Sequence, residues 1–103
     1  MKTINFAKDF TRFPAGRYRK HGDCTGQVFR EDHLVPALRG NERVIVDFTD
    51  VFGVPSSFAE EAFGGLIREE GLCLNDIKNK LILTGCKEQG RIWELMEDAH
   101  GRF

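Results

Sequence analysis

A chain of 103 residues, 41% apolar and 30% charged, is long enough for one modest hydrophobic core and too short for two, so a single domain over residues 1–103 is expected. No apolar run approaches the roughly 18 residues that a membrane-spanning helix needs, and the opening MKTINFAKDF lacks the apolar centre of a signal peptide, which points to the cytoplasm. The net charge of −1 hides an asymmetry: Lys2, Lys8, Arg12, Arg17, Arg19 and Lys20 stand against Asp9 alone in residues 1–22, so a basic segment faces an acidic body.

In chain order, TINFAKDF (residues 3–10) alternates apolar and polar side chains well enough to predict a strand with one buried face. Residues 11–24 carry the turn signal Pro14-Ala15-Gly16 and then the basic stretch around Tyr18, which reads as a turn and a short edge strand. From Thr25 the apolar spacing becomes helical, with Thr25 as N-cap, Gly40 as stop and Pro36 as a late kink or break. RVIVDF (43–48) is the strongest strand, and its nearly continuous β-branched and aromatic run predicts cover on both faces.

Residues 57–70 form the strongest helix. At 100° per residue Phe58, Ala59, Ala62, Phe63, Leu66 and Ile67 share one half of the wheel, with Glu60, Glu61 and Arg68 opposite. NKLILT (79–84) is the next strand, and 87–100 closes the chain as an amphipathic helix carrying Ile92, Leu95, Met96 and Ala99. The unit strand 43–48, helix 57–70, strand 79–84 is a crossover that makes its strands parallel. The expected fold is therefore a small α/β domain with a mixed or parallel sheet of about four strands packed by helices.

The candidate site lies where the chain leaves the carboxyl end of strand 43–48, the place where open α/β sheets carry functional groups. Ser57-Phe58-Ala59-Glu60 has the spelling of a capping box, which assigns Ser57 to capping. Ser56 is then free to project, near a helix end whose dipole favours an anion. Gly64 and Gly65 fall outside the apolar half, where bare backbone permits a close approach, either by another helix of the same chain or by a partner docking on a strip of Glu61, Gly64, Gly65 and Arg68.

Three other chemistries have weaker signals. Arg17, Tyr18, Arg19 and Lys20, within the basic segment Arg12–His21, combine charge and an aromatic as a nucleic-acid contact does; the same charges could instead complement the chain's own acidic surface, with Phe13 and Tyr18 anchoring the segment to the core. A hydrolytic group of Asp47, Asp50, Ser56 and His21 can be assembled, but no nucleophile elbow or phosphate loop accompanies it, so no enzyme activity is expected. Cys24, Cys73 and Cys86 lack a C-x-x-C and fit reduced, packed thiols. His21 and Cys24 have no second ligand pair, while His33 and His100 are isolated, so neither metal nor cofactor is expected.

VIVDFTDVFGVPSSFAEEAFGGL (44–66) resembles the strand, loop and helix of STAS domains, the anti-sigma-factor-antagonist fold, with Asp47 at the strand end, Val51 and Val54 at apolar positions and Ser56-Ser57 as the serine pair. FPAGRYRKHG, TGQVFREDHLVPAL and SSFAEEAFGGL more closely resemble the STAS-like family of unknown function, found in short bacterial and phage-associated proteins. The resemblance implies a regulatory protein-binding module whose partner, a histidine-kinase-like ATPase, phosphorylates the first serine, here Ser56. The docking surface it implies runs over Asp50, Phe52, Val54, Pro55, Ser56 and Ser57. Pro55 stands where the antagonist pattern has an acidic residue, and Phe58 where it has glycine.

Overall fold

A computed structural model describes residues 1–101. Its sheet has three strands, β1 (Lys2–Asn5), β2 (Val44–Asp47) and β3 (Leu81–Thr84), in the order β1-β2-β3 and all parallel. Helix α1 (Phe6–Asp9) follows β1 directly. Helix α2 runs over 26–40 as an α turn Gly26–Phe29, a wider π turn Arg30–Leu34 and an α segment Val35–Gly40. Helix α3 is built the same way, from Ser56–Ala59, a π turn Glu60–Gly64 and Gly65–Arg68. Helices α4 (Leu74–Lys80) and α5 (Gln89–Gly101) flank β3.

The α/β class and the parallel crossover β2–α3–β3 are as the periodicity implied. Several details differ. The basic segment supplies no edge strand, only a 3-10 turn at Arg19–His21, so the sheet stops at three strands among the described residues. The first strand ends at Asn5, whose side chain accepts the Lys8 N–H and caps α1. Asn79 and Lys80, expected in a strand, form the last turn of α4.

Thr25 caps α2 by accepting the Val28 N–H at 3.5 Å. Pro36 does not break the helix. It lacks an amide and its ring crowds the preceding turn, and the π turn just before it widens the ladder where both demands fall.

The helices pack on one face of the sheet. Ile4, Val44, Val46, Leu81 and Leu83 point into the core with Phe6, Phe29, Phe48, Phe58 and Phe63, five rings each no more than 1% exposed. Their centroids lie 4.8–6.3 Å apart in tilted and edge-on pairs, the arrangements aromatic quadrupoles prefer. The other face of β2, expected to be covered, carries Ile45 and Asp47 only half-buried.

Helix α3 is the central helix. Every residue from Glu61 to Ile67 is buried, so its buried surface wraps well beyond the apolar half of the wheel. On that extra side it meets α2: a Cβ on Gly26 would lie 3.0 Å from the Ala62 amide nitrogen and against the Phe58 carbonyl oxygen. Only a glycine lets the two backbones approach so closely.

Candidate functional site

The carboxyl ends of β2 and β3 are locked together by short polar contacts. Asp47 Oδ1 accepts the Thr49 N–H at 2.9 Å and its hydroxyl at 2.6 Å, which holds the Asp47 carboxyl below the usual carboxylate range. The Phe48 N–H donates to the Thr84 carbonyl at 2.8 Å. Gly85, at φ +83°, lies where a Cβ would stand 2.6 Å from both Asp47 Oδ1 and the Thr49 nitrogen. Left-handed backbone and crowding together require glycine there.

From this knot the chain turns outward. The Val51 N–H closes a turn on the Phe48 carbonyl at 3.0 Å, with Asp50 in the left-handed region at φ +68°, which Asp tolerates better than most residues. The Phe52 N–H then donates to the Arg12 carbonyl at 3.0 Å, tying the loop to the basic segment. That bond places Phe13 and Phe52 face to face, with ring centroids 4.8 Å apart and planes 16° apart. Both rings stand in water, Phe13 63% and Phe52 79% exposed. Arg12, Asp50, Val51 and Phe52 line an open depression of about 430 Å³ beside them.

Val54 is buried and anchors the loop, while Pro55 and Ser56 are exposed. Helix α3 begins at Ser56, two residues earlier than the capping-box spelling, with Ser57 as N-cap, suggests. Pro55 is its N-cap, with φ −59° and ψ 145°, and the Ala59 N–H donates to the Pro55 carbonyl at 2.9 Å. No side chain caps this end, so Ser57 does not perform the capping assigned to it. Glu60, the other half of the supposed box, is taken by Arg17 and Arg68.

The strip of Glu61, Gly64, Gly65 and Arg68 is occupied from within the chain. Arg30, 3% exposed, donates to the Glu61 carboxylate at 2.6 Å and to the Glu61 carbonyl, and its Nε reaches Glu70 at 3.1 Å. A Cβ on Gly65 would overlap that guanidinium, and one on Gly64 would meet the Glu60 carboxylate and Arg68. Arg68 also reaches Glu61 at 3.2 Å, and its pKa is raised: desolvation acts downward, but Glu60, Glu61 and Glu69 outweigh it. The glycines therefore accommodate a chain of alternating charge, Arg17–Glu60–Arg68–Glu61–Arg30–Glu70, rather than an incoming partner.

The basic segment is spent largely in the same way. Arg17 pairs with Glu60, while Arg19 holds Asp32 at 2.8 Å and Glu31 at 2.9 Å. These hydrogen bonds keep both carboxyls below their usual range and raise the Arg19 pKa. Lys20 lies 5.9 Å from the centroid of Tyr18, which is 44% exposed. Neither Phe13 nor Tyr18 is anchored in the core. His21 packs beside Tyr18 at 5.8 Å, and among the described residues no hydrogen bond joins it to Asp47, Asp50 or Ser56.

Of the loop residues singled out, Asp50, Phe52, Pro55 and Ser56 are exposed, with Val54 buried and Ser57 half-buried. Phe13, not among them, stacks on Phe52; its only signal in the sequence is an aromatic beside Pro14 outside any apolar period. Among the described residues no helix is long and apolar enough to cross a membrane. The family model for a STAS-like domain of unknown function matches residues 25–91. No curated protein and no solved structure matches the chain.

Proposed function

The chain belongs to the STAS-like domains of unknown function, and from that premise we propose that it is a non-enzymatic, cytoplasmic regulatory module that works by binding another protein at the edge formed by Phe13, Phe52, Pro55 and Ser56. The observation that carries this reading is the exposed stack of two phenylalanine rings at the carboxyl end of the sheet. Large apolar side chains clustered in water mark interaction sites, and aromatics embedded in a partner dominate the binding energy of such sites.

The partner we assign is a histidine-kinase-like ATPase that transfers the γ-phosphoryl group of ATP to Ser56 Oγ, releasing ADP and the hydroxyl proton. Two features support Ser56 as acceptor. Its hydroxyl is exposed in the first turn of α3, with no capping duty, where a phosphate gains from the helix dipole. Glu60, one turn on, is already neutralised by Arg17 and Arg68, which softens repulsion of the new charge.

Incubation with such an ATPase and ATP, followed by intact-mass measurement, tests the reading. One added phosphate on the wild type and none on Ser56→Ala is expected, with binding weakened by Ser56→Asp. No added phosphate together with undiminished binding of Ser56→Asp would sink the switch; unchanged binding by Phe52→Ala would remove the docking edge. Nucleic-acid binding by the basic segment has less support, because Arg17 and Arg19 already neutralise Glu60, Glu31 and Asp32.

A further inference from the structure

The face of the sheet turned away from the helices carries a polar–apolar–polar pattern. In register across the three strands stand Thr3, Ile45 and Ile82, and two residues on stand Asn5, Asp47 and Thr84. Ile82 is 42% exposed and Ile45 half-buried. Two residues before Ile45, on the same face by strand alternation, comes the exposed Arg43, whose carbonyl accepts the Lys2 N–H at 2.9 Å and so extends the ladder. Parallel sheets occur almost only with both faces covered, yet here one face is left with an isoleucine row, a cation at one end and a carboxylate at the other.

We propose that this face is where two copies of the chain meet, their sheets stacked with strands antiparallel about a two-fold axis running across the strands through the Thr3–Ile45–Ile82 row. Arg43 and Asp47 lie about 13 Å apart along β2, two residues to either side of Ile45. The axis therefore sets each Arg43 over Asp47 of the other copy and each isoleucine over its own counterpart. Stacked sheets stand about 10 Å apart, a gap that an arginine and an aspartate span together. Stacking with the strands parallel would set Arg43 over Arg43 and Asp47 over Asp47, so the charges select the antiparallel arrangement. Asp47 is held in place for this by Thr49, which uses Oδ1 and leaves Oδ2 for the arginine.

Three short strands make a small interface, so the dimer is concentration-dependent. Sedimentation velocity of the full chain from about 1 μM to about 1 mM should show the mass rising from one chain toward two. Ile82→Lys should keep it at one chain throughout, Arg43→Glu should raise the dissociation constant at least about tenfold, and Arg43→Lys should change it less than about threefold. Circular dichroism melts confirm that each variant is folded, and Arg43, outside the regular strand, guards against loss of β3 in the Ile82 variant. A mass of one chain at every concentration, or a dimer that neither Ile82→Lys nor Arg43→Glu weakens, overturns the proposal.

Discussion

Arg30 and Glu61 form an ion pair almost wholly withdrawn from water, Nη1 to Oε2 at 2.6 Å with side chains 3% and 5% exposed. The same guanidinium donates to the Glu61 carbonyl inside the π turn of α3, where the widened ladder leaves the backbone open to a side-chain donor. Removing Glu61 takes away the most buried of the carboxylates around Arg30 and leaves that guanidinium, 3% exposed, with the less buried Glu70 and Glu31 alone. Glu61→Ala should therefore cost about 3–5 kcal/mol in urea denaturation, whereas an apolar pair of similar volume at both positions should cost far less.

Gly65→Ala sets two effects against each other. In an open helix alanine is favoured over glycine by about 1 kcal/mol. Here its Cβ would overlap the Arg30 guanidinium, which Glu61 and Glu70 hold in place. Overpacking should win, with a net loss of about 1–3 kcal/mol. The penalty should vanish in an Arg30→Ala background, a non-additivity that a double-mutant cycle reads directly.

Acid sensitivity follows from Arg19. Its hydrogen bonds hold Glu31 and Asp32 below their usual carboxylate range when folded. A depressed folded pKa means that the stabilisation is complete above the unfolded values, near pH 4, and is lost as pH falls through the folded ones. Stability curves of wild type and Arg19→Ala should differ little in shape above pH 5 and converge in acid. A gap that widens below pH 4 would show the reverse sign.

Ser57→Ala should change stability by less than about 0.5 kcal/mol, because no side chain caps α3. A loss of about 1 kcal/mol or more would restore the capping role.

Helix α3 and the loop that leads into it allow a contrast among phenylalanines. Phe58, fully buried, should cost about 3–5 kcal/mol on truncation to alanine. Phe52, 79% exposed, should cost under about 1 kcal/mol in stability, so lost partner binding by Phe52→Ala could not be blamed on unfolding.

Much of the fold was legible because β2 and α3 carry unmistakable periods and only one kind of connection joins parallel neighbours. Helix α4 was not, since Leu74 and Ile77 are its only buried residues in under two turns. The capping-box spelling sets the start of α3 too late because it ignores Pro55, whose fixed φ and missing amide make it the boundary. A wheel at constant 100° puts Glu61, Gly64 and Gly65 outside because it cannot register a π turn, nor a second helix carrying a buried arginine. Phe13 and Phe52, 39 positions apart, meet only through the Phe52–Arg12 backbone bond, which no local pattern encodes.

The two π turns also carry a surplus residue that the core does not demand. Each turn holds one more residue than an α-helix would use for the same advance, so deleting one residue from Glu60–Gly64 would close the ladder to a uniform helix with Phe58 on one side and Leu66 and Ile67 on the other still facing the core they share. What the deletion would remove is the opened backbone at Glu61, where the Arg30 guanidinium donates to the carbonyl. In this helix the extra letter serves the buried arginine rather than the apolar packing.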